Sequence, residues 1–164
     1  MKHLHLLRHA KSSWDEPGLA DYDRPLAPRG RRACKKLAKH LRREGIQPDL
    51  VLCSSSRRTR ETVELISSAL EDAVIEIEEG LYAADADRLL ARLRELPESA
   101  GSVLLIGHNP GLQDLALRLA PGSAGIAAKF PTGALASFAP DTPWLRLGQT
   151  RVELVAYVVP RELA

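Results

Sequence analysis

Three short segments of this 164-residue chain concentrate side chains suited to phosphate: Arg8-His9-Ala10-Lys11-Ser12, Ser54-Ser55-Ser56-Arg57-Arg58 and Gly107-His108-Asn109-Pro110-Gly111. Arginine presents a planar fork whose N–H groups match phosphate oxygens two at a time. Imidazole serves as nucleophile or proton carrier near neutral pH. Two histidines and at least two arginines, brought to one place, have the composition of a phosphoryl site. A helix starting near Gly111 would add amide groups and a dipole that favour an anion, with Asn109 beside them. Arg57 and Arg58 are neighbours, and on a helix their side chains point about 100° apart, so only one can face the site.

Other chemistries fit less well. His3, His5 and His9 share strand parity, and a His-x-His pair can bind zinc. No carboxylate ligand accompanies them in these segments, so no metal is expected, and His3 and His5 are expected to pack near a strand start. A cysteine phosphatase needs an arginine six positions after its thiolate, but Thr59 stands six after Cys53. Cys53 is therefore expected to be a buried structural cysteine. Two cysteines, Cys34 and Cys53, make no disulfide framework, which suits reduced thiols and a cytoplasmic location.

Elements must bring these segments together. Six apolar runs have the character of strands: residues 3–7, 50–53, 74–77, 103–106, 135–138 and 152–159. Runs such as Val103–Ile106 are continuous rather than alternating, as in a parallel sheet covered on both faces. Helical periodicity marks 29–44, 57–70, 86–96 and 111–119. Residues 15–28 and 120–131 have irregular, Gly- and Pro-containing sequence. The alternation predicts an α/β three-layer sandwich with a mostly parallel sheet of about six strands. In such sheets ligands bind beyond the carboxyl ends of the strands, and all three segments follow predicted strands. One domain, 1–164, is expected from the length.

The 23 basic and 21 acidic residues give a net charge of +2, too balanced for a dedicated nucleic-acid or membrane-surface protein. The basic face of 29–44 lacks interleaved aromatics and reads as a solvated helix face, or as a surface that steers an acidic protein partner. No apolar run reaches the roughly 20 residues of a membrane span.

Leu6–Trp14, LLRHAKSSW, resembles the Arg-His-Gly signature of the histidine phosphatase superfamily, with Ala10 at the usual glycine. Asp23–Gly30, SSSRRTRETVE, IGHNPGLQDLA and Lys129–Ala136 resemble four further segments, the last similar to the small SixA-type phosphohistidine phosphatases. The matches run in order from residue 4 to about 138. The resemblance implies a phosphoglycerate-mutase-like fold, with His9 as nucleophile and Arg8, Arg58 and His108 as the other catalytic and phosphate-binding residues. Arg58 is aligned through Thr62, with Glu61 at the family's glutamine. Larger mutase-like members carry an asparagine where this chain has Glu16; Ser12 is the expected replacement, and Asn109 a further substrate contact. The implied activity is metal-independent and needs no cofactor: hydrolysis of phosphohistidine, or of another phosphomonoester, through a phosphohistidine intermediate on His9. The expected partner is a phosphorylated protein, such as a histidine-containing phosphocarrier domain, or a small phosphoester. Alternatives are a broad small-metabolite phosphomonoesterase and a non-catalytic phosphate- or phosphohistidine-binding module. Mutase-like relatives place an acid-bearing glutamate after the third strand, where this chain has Glu78 and Glu79. Trp14 and Tyr82 are candidates for the mouth of the site or for packing.

Overall fold

The computed structural model describes residues 1–163. Six strands form one sheet: β1 (His3–Arg8), β2 (Leu50–Ser54), β3 (Val74–Glu78), β4 (Ser102–Gly107), β5 (Leu135–Ala139) and β6 (Glu153–Val158), in the order β3-β2-β4-β1-β5-β6. β1, β4, β2 and β3 run parallel, whereas β5 is antiparallel to β1 and β6 antiparallel to β5. Pairing of Leu7 with Ile106 and of Leu7 with Leu135 brings the end of β1, the end of β4 and the start of β5 to one rim.

Helices cover both faces: α1 (Pro28–Arg43), α2 (Arg57–Leu65), α3 (Ala86–Arg94), α4 (Gly111–Leu119) and α5 (Ala124–Ala128). The two cores follow from strand alternation. Leu4 and Leu6 pack with the leucines of α3 and α4, while Leu7, Val51 and Cys53 pack against Leu37 and Leu41 of α1 and Val63 of α2. This is the three-layer α/β arrangement, and His9 continues the parity of Leu7 toward the α1–α2 side.

Boundaries differ from the periodicity in three places. The stretch 57–70 is α-helical only to Leu65, then passes through Ile66 into a 3-10 turn at Ser67–Ala69 that still buries Ile66, Ala69 and Leu70. The stretch 120–131 contains the short α5, and 15–28 contains a 3-10 turn at Asp21–Asp23. Among the described residues no helix is long and apolar enough to cross a membrane.

Two glycines let the helices approach the rim. A Cβ on Gly30 would lie 2.1 Å from the Lys11 carbonyl oxygen, so the first turn of α1 can press on the chain leaving β1 only without a side chain there. The Lys11 carbonyl also accepts from the Ala27 amide at 2.9 Å. A Cβ on Gly111 would similarly meet the Ala84 carbonyl oxygen at 2.1 Å, which seats the start of α4 against the turn after β3.

Candidate active site

His9 follows β1 and is 5% exposed. Its backbone is held on three sides. Its amide donates to the Gly107 carbonyl at 3.1 Å, its carbonyl accepts from the Gly133 amide at 2.9 Å, and the next amide, Ala10, donates to Thr62 Oγ1 at 3.1 Å. The ring Nδ1 lies 2.7 Å from the Ala10 carbonyl oxygen. A carbonyl only accepts, so Nδ1 carries the hydrogen and Nε2 keeps its lone pair. Nε2 faces the Arg58 Nε–H at 3.4 Å. Burial above all, with the charges of Arg58 and Arg8 and the nearby His108 adding to it, pushes the His9 pKa down to about 3, although the Ala10 hydrogen bond works the other way. His9 is therefore an unprotonated imidazole at neutral pH.

Arg58 lies in the first turn of α2, buried, and reaches both histidines: besides His9, its Nη2 is 3.4 Å from His108 Nδ1. Its other donors are held by Asp21, Nη1 to the backbone carbonyl at 2.7 Å and Nη2 to Oδ2 at 3.0 Å. Arg57 points elsewhere. It is exposed and donates to Glu61 at 3.1 Å, and Glu61 also accepts from the Leu26 amide at 2.8 Å. Of the two arginines, the structure thus brings Arg58 to the histidines.

His108 follows β4, with its ring centroid 5.3 Å from that of His9. Nδ1 faces a guanidinium, which only donates, so the neutral ring carries its hydrogen on Nε2 and donates to Ser54 Oγ at 2.7 Å. Burial, then the charges of Arg58 and Arg8, lower the His108 pKa to about 4, against the opposing charge of Asp21. A proton on Nδ1 would meet the Arg58 N–H directly. The ring is therefore neutral at neutral pH, and an anion placed between His108 and Arg58 would remove that conflict.

Arg8 closes the site from β1. Its Nη1 donates to the Phe130 carbonyl at 3.0 Å, while its Nε is buried and has no partner among the described residues. An unpaired buried donor is costly, and an oxyanion at this place would satisfy it. Ser12 lies in the same cleft, where its Oγ accepts from Arg24 Nη2. Asn109 also lines it, but its amide is engaged: Nδ2 donates to the Phe130 carbonyl at 3.0 Å and Oδ1 accepts from the Gln113 amide at 3.2 Å. That geometry makes Asn109 a brace of the β4–α4 turn. The cleft holds about 180 Å³, below the roughly 300–1,000 Å³ typical of small-molecule pockets.

Asp21, Arg24 and Thr132 were given no role by sequence reasoning, whereas Lys11 and Ser54 lie in the segments it singled out. Asp21 gathers Arg58, Arg24 Nη1 at 2.9 Å and the Tyr82 hydroxyl at 2.6 Å. Those donors hold its carboxyl far below the usual carboxylate range. It lies in an irregular stretch with no periodicity, so no spacing signal marked it. Tyr82 packs edge-on against His108, with centroids 5.5 Å apart, which puts it at the site. Trp14 is exposed and carries the Arg24 guanidinium 3.3 Å above its ring, at the mouth. Glu16 is exposed and outside the cleft lining. Glu78 is paired with Arg92 at 2.8 Å, and Glu79 lines a separate hollow beyond Tyr82.

The remaining candidates lie elsewhere. His5 is buried at the far end of β1, its Nδ1 2.7 Å from Ser137 Oγ, and His3 is exposed there. Among the described residues no three His, Cys, Asp or Glu side chains are grouped to hold a metal. Cys53 is fully buried, and desolvation pushes its thiol up to about 12, so it is no nucleophile at neutral pH.

A sequence model of the histidine phosphatase superfamily (branch 1) matches residues 4–99. An uncharacterised protein of Mycobacterium leprae is 35% identical over 164 residues, covering 94% of this chain and all of its own length. A provisionally named phosphohistidine phosphatase SixA from Agrobacterium tumefaciens superposes with a TM-score of 0.84 at 28% identity, over 97% of this chain and 98% of that one. The protein histidine phosphatase SixA complexed with tungstate gives a TM-score of 0.80 at 25% identity, over 98% of each chain. With the family model spanning more than half of the chain and a relative this similar along nearly all of it, the chain belongs to the histidine phosphatase superfamily.

Proposed function

We propose that the protein hydrolyses phosphohistidine on a protein through a covalent phosphohistidine intermediate on His9, with Arg8, Arg58 and His108 as its other catalytic residues. The observation that carries this reading is His9 itself. Its Nδ1 is tied to the Ala10 carbonyl, and its Nε2 lone pair looks into a cleft ringed by Arg8, Arg58 and His108. Tungstate, with which the similar SixA is complexed, is an oxyanion of the same tetrahedral shape as phosphate, which supports this reading.

In the proposed reaction, His9 Nε2 attacks phosphorus as the bond to the leaving group breaks. Charge on the transferring oxygens is met by the two arginines and by His108, which takes up a proton with the bound anion. Water then attacks the phosphorus on His9, releasing phosphate and restoring the imidazole. All the positive charge comes from side chains, so the reading includes no metal or cofactor.

The carboxylates around the site favour this substrate class. An alkoxide leaves badly unless a positioned acid protonates it. The carboxylate nearest the catalytic groups is Asp21, which is held ionised by its three donors and cannot supply a proton. Glu78 is committed to Arg92. An imidazole leaving group needs less help, because the P–N bond is labile. The expected order of kcat/KM is phosphohistidine protein first, aryl phosphate second, and alkyl phosphate lower by about 10²-fold, the effect of one missing general acid. Steady-state kinetics on the three substrates checks this, and an alkyl ester turned over as well as the others overturns it in favour of a broad phosphomonoesterase.

A further inference from the structure

Beside the catalytic cleft, and sharing Lys11 and Thr132 with it, lies a second hollow of about 300 Å³ between the start of α1 and the chain that follows β6. Its floor is apolar, formed by Ala33 and Val159 among others, and its walls carry Lys11, Arg29, Lys129 and Arg161. All four cations are exposed, no acidic side chain lines the hollow, and none of the four makes an ion pair among the described residues. In a chain with 23 basic and 21 acidic residues, four cations without a counter-charge around one groove form a local excess.

We infer that this groove is a docking subsite for an acidic polypeptide segment flanking the phosphorylated residue of the substrate. The inference rests on the phosphatase reading and adds what selects the substrate. A single phosphate ion is a poor occupant. A phosphate site is built from donors that converge and are held in place, as Arg58 is by Asp21, whereas these four side chains are spread along the walls and make no ion pair among the described residues. Spread cations over an apolar floor match a chain with several carboxylates and an apolar residue between them. Because Lys11 and Thr132 line both the groove and the cleft, a chain lying in the groove passes beside the cleft that holds His9. Long-range attraction of this kind raises the encounter rate and falls with salt.

The test uses two phosphohistidine peptides of equal length, one with glutamates beside the histidine and one with glutamines. It also uses the unphosphorylated acidic peptide as a binding probe read by fluorescence anisotropy. Wild-type enzyme is expected to favour the acidic peptide by about tenfold in kcat/KM, as the combined effect of a few exposed ion pairs. The preference should shrink in 0.5 M salt and be close to one in the Arg29→Gln/Lys129→Gln/Arg161→Gln variant, whose altered side chains are exposed. A wild-type ratio near one, or a ratio that survives in the variant, overturns the inference. If neither peptide is hydrolysed, the phosphatase reading fails, and the groove is then judged by the probe alone: it stands if the triple variant loses the probe and falls if binding is unchanged or absent. A single-stranded oligonucleotide that binds the wild type as tightly as the acidic peptide also overturns the choice of a polypeptide occupant.

Discussion

At the scale of single residues, the proposed chemistry depends on which arginine meets the phosphoryl group. Arg58 spends its donors on Asp21 and on the two histidines, whereas Arg57 makes an exposed pair with Glu61. Arg58→Ala is therefore expected to lower kcat/KM by about 10²-fold or more, as loss of one preorganised donor to a developing oxyanion does. Arg57→Ala removes only a surface ion pair worth about 0.3–0.5 kcal/mol and should leave turnover within a few-fold. Equal losses in the two variants would remove Arg58 from its assigned role. The pairing with Glu61 also explains why the two arginines were hard to separate by spacing alone. Helical geometry says that they diverge, but only the partner on each side says which one turns inward.

At the scale of elements, the site is a product of close packing between α1, α2 and the chain after β1. Gly30 sits where that packing is tightest. Gly30→Ala places a methyl carbon against the backbone of Lys11, a contact that no side-chain rotation relieves. The expected cost is about 1–3 kcal/mol of stability, as for other overpacked sites, with reduced turnover because the same chain carries His9. Urea unfolding and steady-state kinetics on the variant check both, and a variant as stable and active as wild type would show that the contact yields easily. These elements were largely legible in the sequence. Continuous runs such as Val103–Ile106 announced buried parallel strands, and the spacing of Leu89, Leu90 and Leu93 announced α3. The strand-end segments followed, because an α/β sheet delivers the ends of its parallel strands to one rim. Asp21 and Arg24 were not legible. They lie in irregular chain, and their places are set by tertiary hydrogen bonds that leave no period in the sequence. Asn109, adjacent to His108, was legible as a cleft residue, but its hydrogen bonds to Phe130 and Gln113 were not, because they depend on how the chain after α5 packs on α4.

At the scale of the whole molecule, three buried histidines tie stability to pH. His5, His9 and His108 have folded pKa values of about 4, 3 and 4, each lowered chiefly by burial. Unfolded, each titrates near 6.5. Between about 6.5 and 4 the unfolded chain therefore binds more protons than the folded one, so stability rises with pH across this window and is lost as pH falls through it. The loss from pH 6.5 to 5 is expected to be on the order of 5 kcal/mol, the sum of three such groups. Asp21, whose carboxyl is held low in the folded state, adds to the loss in the same direction as the unfolded chain takes up protons toward pH 4. Urea midpoints across the window measure the effect, and a flat or inverted dependence contradicts the buried, neutral state of these rings. That neutral state is also what the proposed attack by His9 requires, and the most direct measurement of that attack is chemical. Enzyme mixed with a substrate carrying a labelled phosphoryl group and quenched within milliseconds should carry label on the peptide containing His9. The bond should be labile in acid and stable in base, and His9→Ala should give none. Label on Cys53 or Ser54, or full turnover by His9→Ala, would contradict it.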